Sequence, residues 1–577
     1  MSQPLDHDVT DRTEPGSPRS AKPHWSIAGR NTVVAAFVLS CIVLISLYIR
    51  AADYGFYEDD YWAIVPYFKA PVSALWDNTL LQFQVWSQGR PLNHSIPMWF
   101  ARIGYGLGGV QGLYFLGFLV QSLNAFLLYH LLKKWLDRWS AILGGCLLIL
   151  LPADTTHIFL EHSAQLHTSL TYLLVGLLIK RTRLWPLSYP VAALSLLSYE
   201  TAFLPFIVFP LFLVDRKKRI FQWLTHLIIC GGVLLTVFSI RLSLSDSRAG
   251  SVVSQPADTL WRMVSSLWIG PETSLKTFLR AVIQAPHSQP PFAFLFAGLG
   301  VILLLVVPLL VRDADSNTPA AIRSHSITIL FAGLASWVSS YVLTLTNYPP
   351  TQMAGRLTSV HLAAVFGLAC AIAAATAYLR SFQDFRLKAA TTGVVSLMVA
   401  IFILYEFRIQ SGFAAAWEME QHFWRTVVQL CPDITPKTRV ILVGTEPRQN
   451  EFIATNSWAD PLVLGEIFSW DPGPLFFYYS GMAAVADIRF ENGQVTWKPI
   501  FWGDERETLN LDDLIILQGN GEEITRINEF QIPEVPFPLH SKELVPSEAH
   551  PSPLPLTSFG RFLLGPGSSR SNRSLQH

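Results

Sequence analysis

Long apolar segments between residues 33 and 407 constrain the fold of this chain more than any other feature. The first, 33–49, approaches the ~20 residues that a helix needs to cross the ~30 Å hydrocarbon core of a bilayer. Further apolar segments follow at about 109–132, 139–152, 166–180, 184–198, 202–214, 220–243, 291–311, 327–347, 357–379 and 389–407. Because backbone polar groups inside a bilayer are satisfied within helices, the pattern predicts an all-α polytopic membrane bundle with about eleven transmembrane helices.

The composition is that of a membrane part joined to a soluble part. Hydrophobic residues make up 51% of the 577 residues and charged residues 15%, against about 25% charged in a typical soluble domain. The 42 basic and 42 acidic residues cancel, which argues against nucleic-acid binding because that function needs a basic surplus. The five cysteines form no CxxC pair and show no ligand spacing with histidine, so neither a disulfide framework nor a zinc site is predicted.

The distribution of Lys and Arg predicts the orientation of the bundle. Basic residues concentrate in alternate loops, at 133–138, 180–183, 216–219, 312–323 and 380–388. Loops of this kind face the cytosol. We therefore predict a multi-pass plasma (inner) membrane protein with a cytoplasmic N-terminus and an extracytoplasmic C-terminal region. The polar residues 1–30 are predicted to be a disordered cytoplasmic segment, and 33–49 an uncleaved signal anchor.

The predicted membrane domain, 31–407, carries two long outer loops, 51–108 and 244–290. Both contain amphipathic stretches rich in Trp and Leu, such as Leu260-Trp261-Arg262-Met263. Segments of this kind tend to lie in the plane of the membrane interface. An enzyme that acts on a lipid headgroup needs such a surface, whereas a simple anchor does not.

The remaining chain predicts a small extracytoplasmic α/β domain, 408–545. An amphipathic helix is predicted at 411–430 and buried strands at 439–444 and 514–517. Alternating residues around Asn492-Gly493 indicate a β-hairpin. The last segment, 546–577, is rich in Pro and Ser and is predicted to be disordered.

The strongest chemical signal is the acid triplet Glu58-Asp59-Asp60, just after the first span. One carboxylate could act as a general base toward an acceptor hydroxyl. Alternatively, Asp59 and Asp60 could hold a divalent cation, Mg²⁺ or Mn²⁺, against a phosphate. A solvated acidic loop is the non-functional alternative.

Several other polar residues fall on the same predicted face. Gly89 and Pro91 rigidify a turn around Arg90, which suits phosphate binding or a pair with the acid triplet, and His94 follows. Glu200 lies at the outer end of a span, where an acid is costly unless it is paired or hydrated. Arg241, near the outer end of its own span, is a weaker candidate.

The loop after the third apolar segment carries three histidines, His157, His162 and His167, within eleven residues. They could support a metal, but their spacing matches no standard motif. A hydrogen-bonded polar loop is the alternative interpretation.

An acidic pair in the first outer loop resembles the GT-C class of polytopic glycosyltransferases, which includes protein O-mannosyltransferases and bacterial aminoarabinose transferases. The sequence Gly89-Arg90-Pro91-Leu92 is similar to that of bacterial GtrII-type glucosyltransferases. The resemblance implies a polyprenyl-phosphate-linked sugar donor, a glycan, lipid or protein acceptor, and transfer at the outer leaflet with inversion. It places such an enzyme in cell-envelope polysaccharide biosynthesis or in the modification of lipids or proteins.

The resemblance also assigns roles to residues of this chain. The catalytic base maps onto Asp60 or Asp59, with Asp60 favoured, because the triplet that begins with Glu58 leaves the register ambiguous. A second acid of the family falls in the loop that carries Asp154, Glu161 and His162. The arginine that binds the donor phosphate corresponds to Arg356, for which a lone interfacial anchor is the competing interpretation.

Two other functions compete with the enzyme. A transporter or flippase of lipid-linked glycans would place its essential ionisable residues near the bilayer midplane. A non-catalytic envelope assembly protein would use the C-terminal domain to recruit partners. The acids of this chain cluster at one predicted surface, which favours a glycosyltransferase.

Overall fold

A computed structural model describes most of the chain. The described residues are 27–86, 89–213, 219–244, 246–287, 289–310, 318–343, 354–445, 447–448, 452–453, 459–470, 473–479, 489–491, 494–497, 507–508, 510–532, 536–544 and 556–565. The predictions for residues 1–26 and for the turn at Asn492-Gly493 therefore lie outside the described residues.

Helices make up nearly all of the described chain up to residue 430. They are α1 (Ile27–Val43), α2 (Asp60–Ala63), α3 (Val72–Val85), α4 (Pro91–Leu132), α5 (Arg138–Leu150), α6 (Leu160–Ile179), α7 (Ser188–Ser198), α8 (Phe203–Phe212), α9 (Arg219–Ser243), α10 (Ser247–Ser254), α11 (Pro256–Gln284), α12 (Pro291–Leu310), α13 (Pro319–Ser339), α14 (Leu362–Arg380) and α15 (Phe385–Leu430). Short 3₁₀ turns at Thr156–Ile158, Glu200–Ala202 and Arg356–His361 lead into α6, α8 and α14.

Every predicted span overlaps one of these helices, so the all-α membrane class is confirmed. Five helical stretches of the described chain are long and apolar enough to cross a membrane by themselves: Asn31–Asp53, Pro91–Leu132, Ile220–Ser243, Arg356–Arg380 and Phe385–Leu430. The shorter apolar helices Arg138–Leu150, Glu200–Phe212 and Pro291–Val306 accompany them. Eleven separate crossings therefore stay a prediction.

Helix α4 is broken where the predicted outer loop meets the predicted span. Gly108 and Gly109 leave the helical conformation, and Gly109 has φ +61°, a value that favours glycine. After the break the chain folds back closely, since a Cβ on Gly112 would lie 2.1 Å from the carbonyl oxygen of Gly104. The 42-residue helix is thus two helices, one for the outer loop and one for the span.

Helix α15 joins the membrane part to the soluble part without a break. Its 46 residues correspond to about 69 Å at 1.5 Å per residue, more than twice the ~30 Å hydrocarbon core. The helix predicted at 411–430 is the continuation of the last span. Trp424, near its end, packs edge-on against Phe476 of the soluble region at 5.1 Å.

The C-terminal region is a small strand-containing unit, as predicted. Its strands are β1 (Arg439–Thr445), β2 (Leu475–Tyr479), β3 (Arg489–Glu491), β4 (Gln494–Trp497), β5 (Glu507–Thr508), β6 (Leu514–Asn520), β7 (Ile524–Ile527), β8 (Glu529–Phe530) and β9 (Leu539–His540), and α16 (Asp460–Phe468) lies between β1 and β2. The main sheet has the order β2-β1-β6-β7, with β7 antiparallel to β6. Strands β3 and β4 pair antiparallel, in agreement with the predicted hairpin.

One part of the predicted disordered tail is ordered. Helix α17 (Ser558–Leu564) lies within 546–577, and its Phe559, Leu563 and Leu564 are buried. The ring of Phe559 contacts that of Phe56 in the first outer loop at 5.7 Å. The composition suggested disorder, but three buried apolar residues of this short helix supply enough burial to order the segment.

Candidate functional site

Four inter-helix connections meet at one end of the bundle and bring the predicted polar residues together. They are the loop after α1, the turn before α6, the turn before α8 and the turn before α14. Asp60 reaches the turn before α6, because its Oδ1 accepts a hydrogen bond from the backbone N–H of Glu161 at 2.8 Å. Arg356, before α14, reaches back to the loop after α1.

The acid triplet is buried, which excludes the solvated loop. Glu58, Asp59 and Asp60 are 5%, 4% and 0% exposed. Glu58 has φ +47°, a left-handed conformation that costs energy for a non-glycine residue and is held by its surroundings. Strained backbone of this kind clusters at functional sites.

Arg356 and Asp59 form the centre of the site. Nη2 of Arg356 lies 2.5 Å from Oδ2 of Asp59, and Nη1 lies 3.6 Å from Oε2 of Glu58. The Arg356 side chain is 33% exposed, whereas its acidic partners are buried. Part of the Arg356 side chain is therefore accessible to solvent or to a ligand. The interpretation of Arg356 as a lone interfacial anchor is wrong.

Glu161 adds a third carboxyl group to this arginine. It interacts electrostatically with Asp59 and with Arg356. Burial and the negative charge of Asp59 raise the pKa of Glu161 well above its usual range. The protonated form of Glu161 is therefore favoured beside Asp59, the carboxylate that contacts Arg356.

Asp60 is held differently from Asp59. Both of its oxygens accept backbone N–H groups, Oδ1 from Glu161 and Oδ2 from Tyr57 at 3.1 Å. Burial raises the pKa of Asp60 to about 7, although the backbone hydrogen bonds act in the opposite direction. Asp60 thus ties the first outer loop to α6.

The turn that carries Arg356 is fixed by two threonines. The backbone N–H of Gly355 donates to Oγ1 of Thr155 at 2.8 Å, and that of Thr155 donates to Oγ1 of Thr358 at 3.0 Å. Gly355 has φ +86°, which favours glycine at this position. These bonds set the direction in which Arg356 leaves the turn.

Arg90 and Glu200 form a second, adjacent ion pair. Their contacts are bidentate, Nε to Oε2 at 2.5 Å and Nη2 to Oε1 at 2.6 Å, and both side chains are buried. The guanidinium also lies 5.1 Å from the centre of the Tyr199 ring. Arg90 therefore pairs with Glu200 and not with the acid triplet. Glu200 is a buried ion-pair partner, not an exposed interfacial acid.

Other predicted residues border these two pairs. His94 packs against the Trp62 ring of the first outer loop at 5.3 Å. Nε2 of His162 lies 4.0 Å from Glu161, and its ring packs on Phe159. Arg241 pairs with Asp246 at 2.6 Å and packs against Gly89, where a Cβ would clash with it.

Asp154 lies apart from the acid triplet. Its ligand atom, with those of His157 and His167, falls in a buried group whose atoms lie within 4.8 Å of one another. Among the described residues, Asp154, His157 and His167 are the three metal-ligating side chains that lie close enough together to hold one ion. The expectation of a divalent cation at Asp59 and Asp60 stays a prediction.

Sequence reasoning missed several residues of the site. Thr155, Thr358 and Tyr199 carry no sequence signal, because their roles follow only from contacts between distant loops. Glu406 did have a signal: it is an acid inside an apolar span, and it is buried in α15. Trp417 of α15 packs on Gly55, where any Cβ would overlap its ring.

Comparisons with known proteins give one likeness. No family model and no curated protein matches the chain. Among solved structures, ArnT from Cupriavidus metallidurans bound to undecaprenyl phosphate is similar, with 14% identity over 72% of this chain and 82% of that chain and a TM-score of 0.31. A TM-score of 0.31 is too low to equate individual residues.

Proposed function

We propose that this chain is a membrane glycosyltransferase that moves a sugar from a polyprenyl-phosphate-linked donor to an acceptor hydroxyl. The observation that carries the proposal is the Arg356–Asp59 pair, in which a buried carboxylate contacts a partly exposed guanidinium. Transfer from a lipid phosphate needs both groups: a cation for the leaving phosphate and a base for the acceptor proton.

The proposed reaction is a single displacement. The acceptor oxygen attacks the anomeric carbon, and the bond from that carbon to the phosphate oxygen breaks with inversion. The phosphate leaves with the bonding electron pair, which Arg356 stabilises through charge-assisted hydrogen bonds. The acceptor proton passes to Asp59.

Asp59 suits the base better than Asp60, which the sequence favoured. Asp60 is fully buried, and both of its oxygens accept backbone N–H groups. Asp59 contacts Arg356, so a donor phosphate bound by Arg356 would lie next to it, where a base is needed. Asp60 then acts as a positioning residue.

The membrane supplies the donor in this proposal. The pairs lie where the chain passes between apolar helices, and α11 beside the bundle exposes Trp261 and Trp268 as expected for a helix at the lipid interface. The positive-inside pattern supports a position outside the cytosol for this end of the bundle, where the acceptor would be a glycan, lipid or protein of the cell envelope.

The test is transfer by purified protein in lipid nanodiscs. A panel of polyprenyl-phosphate sugars is offered with candidate acceptors, with and without EDTA, and free polyprenyl phosphate is measured. We expect release with one donor by wild type and its loss in Asp59→Asn. Binding of lipid-linked sugars without release, together with their movement between leaflets, would overturn the proposal in favour of a flippase.

A further inference from the structure

We propose that Asp154, His157 and His167 form a structural Zn²⁺ site beneath the candidate active site. The three side chains come from the turn Thr156–Ile158, the residues before it and the second turn of α6. Their ligand atoms lie within 4.8 Å of one another. The two imidazole rings stack with their centroids 4.8 Å apart.

Unsatisfied polar atoms point to a missing ligand. Asp154 is 1% exposed and His157 4% exposed. Oδ1 of Asp154 accepts from the N–H and the hydroxyl of Thr156, but Oδ2 has no hydrogen-bond partner among the described residues, nor has Nδ1 of His157. A buried polar atom without a partner costs about 1–3 kcal/mol. A cation bound between these atoms would remove that cost.

The charge around the site also favours a cation. The carboxylate of Glu406, in α15, is buried and close enough to Asp154 for the two charges to repel each other. Its Oε1 has no partner among the described residues either. Two buried carboxylates whose charges repel each other are stabilised when a proton or a cation compensates them.

The donor set selects the kind of metal. Mg²⁺ and Ca²⁺ prefer oxygen ligands, whereas two imidazoles and one carboxylate bind transition metals such as Zn²⁺ and iron(II); zinc, which needs no redox partner, suits a structural role. Tetrahedral zinc with bonds of 2.0–2.1 Å holds its ligand atoms ~3.3 Å apart. The distances between the ligand atoms, now up to 4.8 Å, must therefore shorten when zinc binds. Rotation of the two histidine side chains would shorten them.

The site would fix the loop that positions Arg356. Thr155, between Asp154 and Thr156, makes the hydrogen bonds to Gly355 and Thr358 that orient the turn of Arg356. Zinc would hold both flanks of Thr155 in place. This role does not depend on the proposed transferase function.

The test is metal content of full-length protein without a polyhistidine tag, purified in detergent and dialysed against a weak chelator. We expect about one zinc per chain in wild type and its loss in His157→Ala and His167→Ala. His162→Ala is the matched control, because His162 is equally buried on the same helix but outside the ligand group. It should retain the metal.

A second measurement covers the case in which the histidine variants misfold. Wild type stripped with a strong chelator and reloaded with Co²⁺ should show the intense visible bands of tetrahedral cobalt, and Asp154→Asn should weaken or shift them. Added Zn²⁺ should raise the melting temperature of stripped wild type. No retained zinc and no cobalt bands in folded wild type, or equal zinc in the His157→Ala variant, would refute the site.

Discussion

Nη2 of Arg356 lies 2.5 Å from Oδ2 of Asp59. Two residues that are nearly 300 positions apart in the sequence therefore form one ion pair. The pair is asymmetric, because the Arg356 side chain is 33% exposed and that of Asp59 is 5% exposed. An anion that approaches Arg356 therefore meets a guanidinium that is already paired with the carboxylate of Asp59. This arrangement suits a phosphate that must bind in one step and leave in the next.

The Asp59→Asn variant should lose turnover ~10²–10⁴-fold, because a positioned general base contributes about that much. Donor affinity should change little, and kcat and KM in the nanodisc assay separate the two. Asp60→Asn is the matched variant: it should mainly lower thermal stability. If Asp60→Asn abolishes turnover while Asp59→Asn is active, Asp60 is the base, as the sequence first suggested.

Arg356→Ala should weaken donor binding more than it slows the bound complex. Hydrogen bonds to a charged group contribute ~1.5–3 kcal/mol, or about 10- to 150-fold in affinity. Equilibrium binding of polyprenyl phosphate measures this directly. Arg50→Ala is the control, because Arg50 is 29% exposed and pairs with Asp53 at 2.9 Å. Equal losses in the two variants would contradict a phosphate site at Arg356.

The contribution of Asp60 to stability should decrease as pH rises from 5 to 8. Asp60 has a folded-state pKa of about 7 against 3.8, so between these values the folded state keeps a proton that the unfolded chain has released. Its stabilising contribution is complete below pH 3.8 and is lost as pH rises through 7.

The groups that face Asp60 are Asp59, Glu161 and Tyr57, so Asp60→Asn isolates its own share. At about 1.4 kcal/mol per pKa unit, the change between pH 5 and the folded-state pKa of about 7 is roughly 3 kcal/mol at most. Melting temperatures in detergent across this range measure it. A pH dependence that is identical in wild type and Asp60→Asn would show that Asp60 is not the group that titrates.

Removing one member of the Arg90–Glu200 pair should destabilise the protein strongly. Both side chains are buried, and an uncompensated buried charge costs ~3–5 kcal/mol. Arg90→Met and Glu200→Met should each lower the melting temperature, whereas the double variant should recover most of the loss. If the double variant loses the sum of the two single losses, the pair is not coupled.

Short sequence patterns determined the structural class of the protein and identified its candidate acidic site residues. Apolar runs of span length predict membrane helices because the bilayer leaves the backbone no other partner. Strands 439–444 and 514–517 followed from short apolar runs, and Glu58, Asp59 and Asp60 stood out because charge is rare near apolar segments. Each of these signals lies within about twenty consecutive residues.

Partner choice was decided only by the tertiary structure. From the sequence, Arg90 could pair with the acid triplet or bind a phosphate. It pairs with Glu200, because the packing of α4 against α7 brings the start of α4 close to the end of α7. The same holds for Arg356 with Asp59, for Thr155 with Thr358 and for the stacked His157 and His167. Helix periodicity fixes which residues share a helix face, but not which loop ends meet. Those meetings depend on how whole helices pack, and in this chain they distinguish the acid that faces an arginine from the acid that is tied to backbone amides.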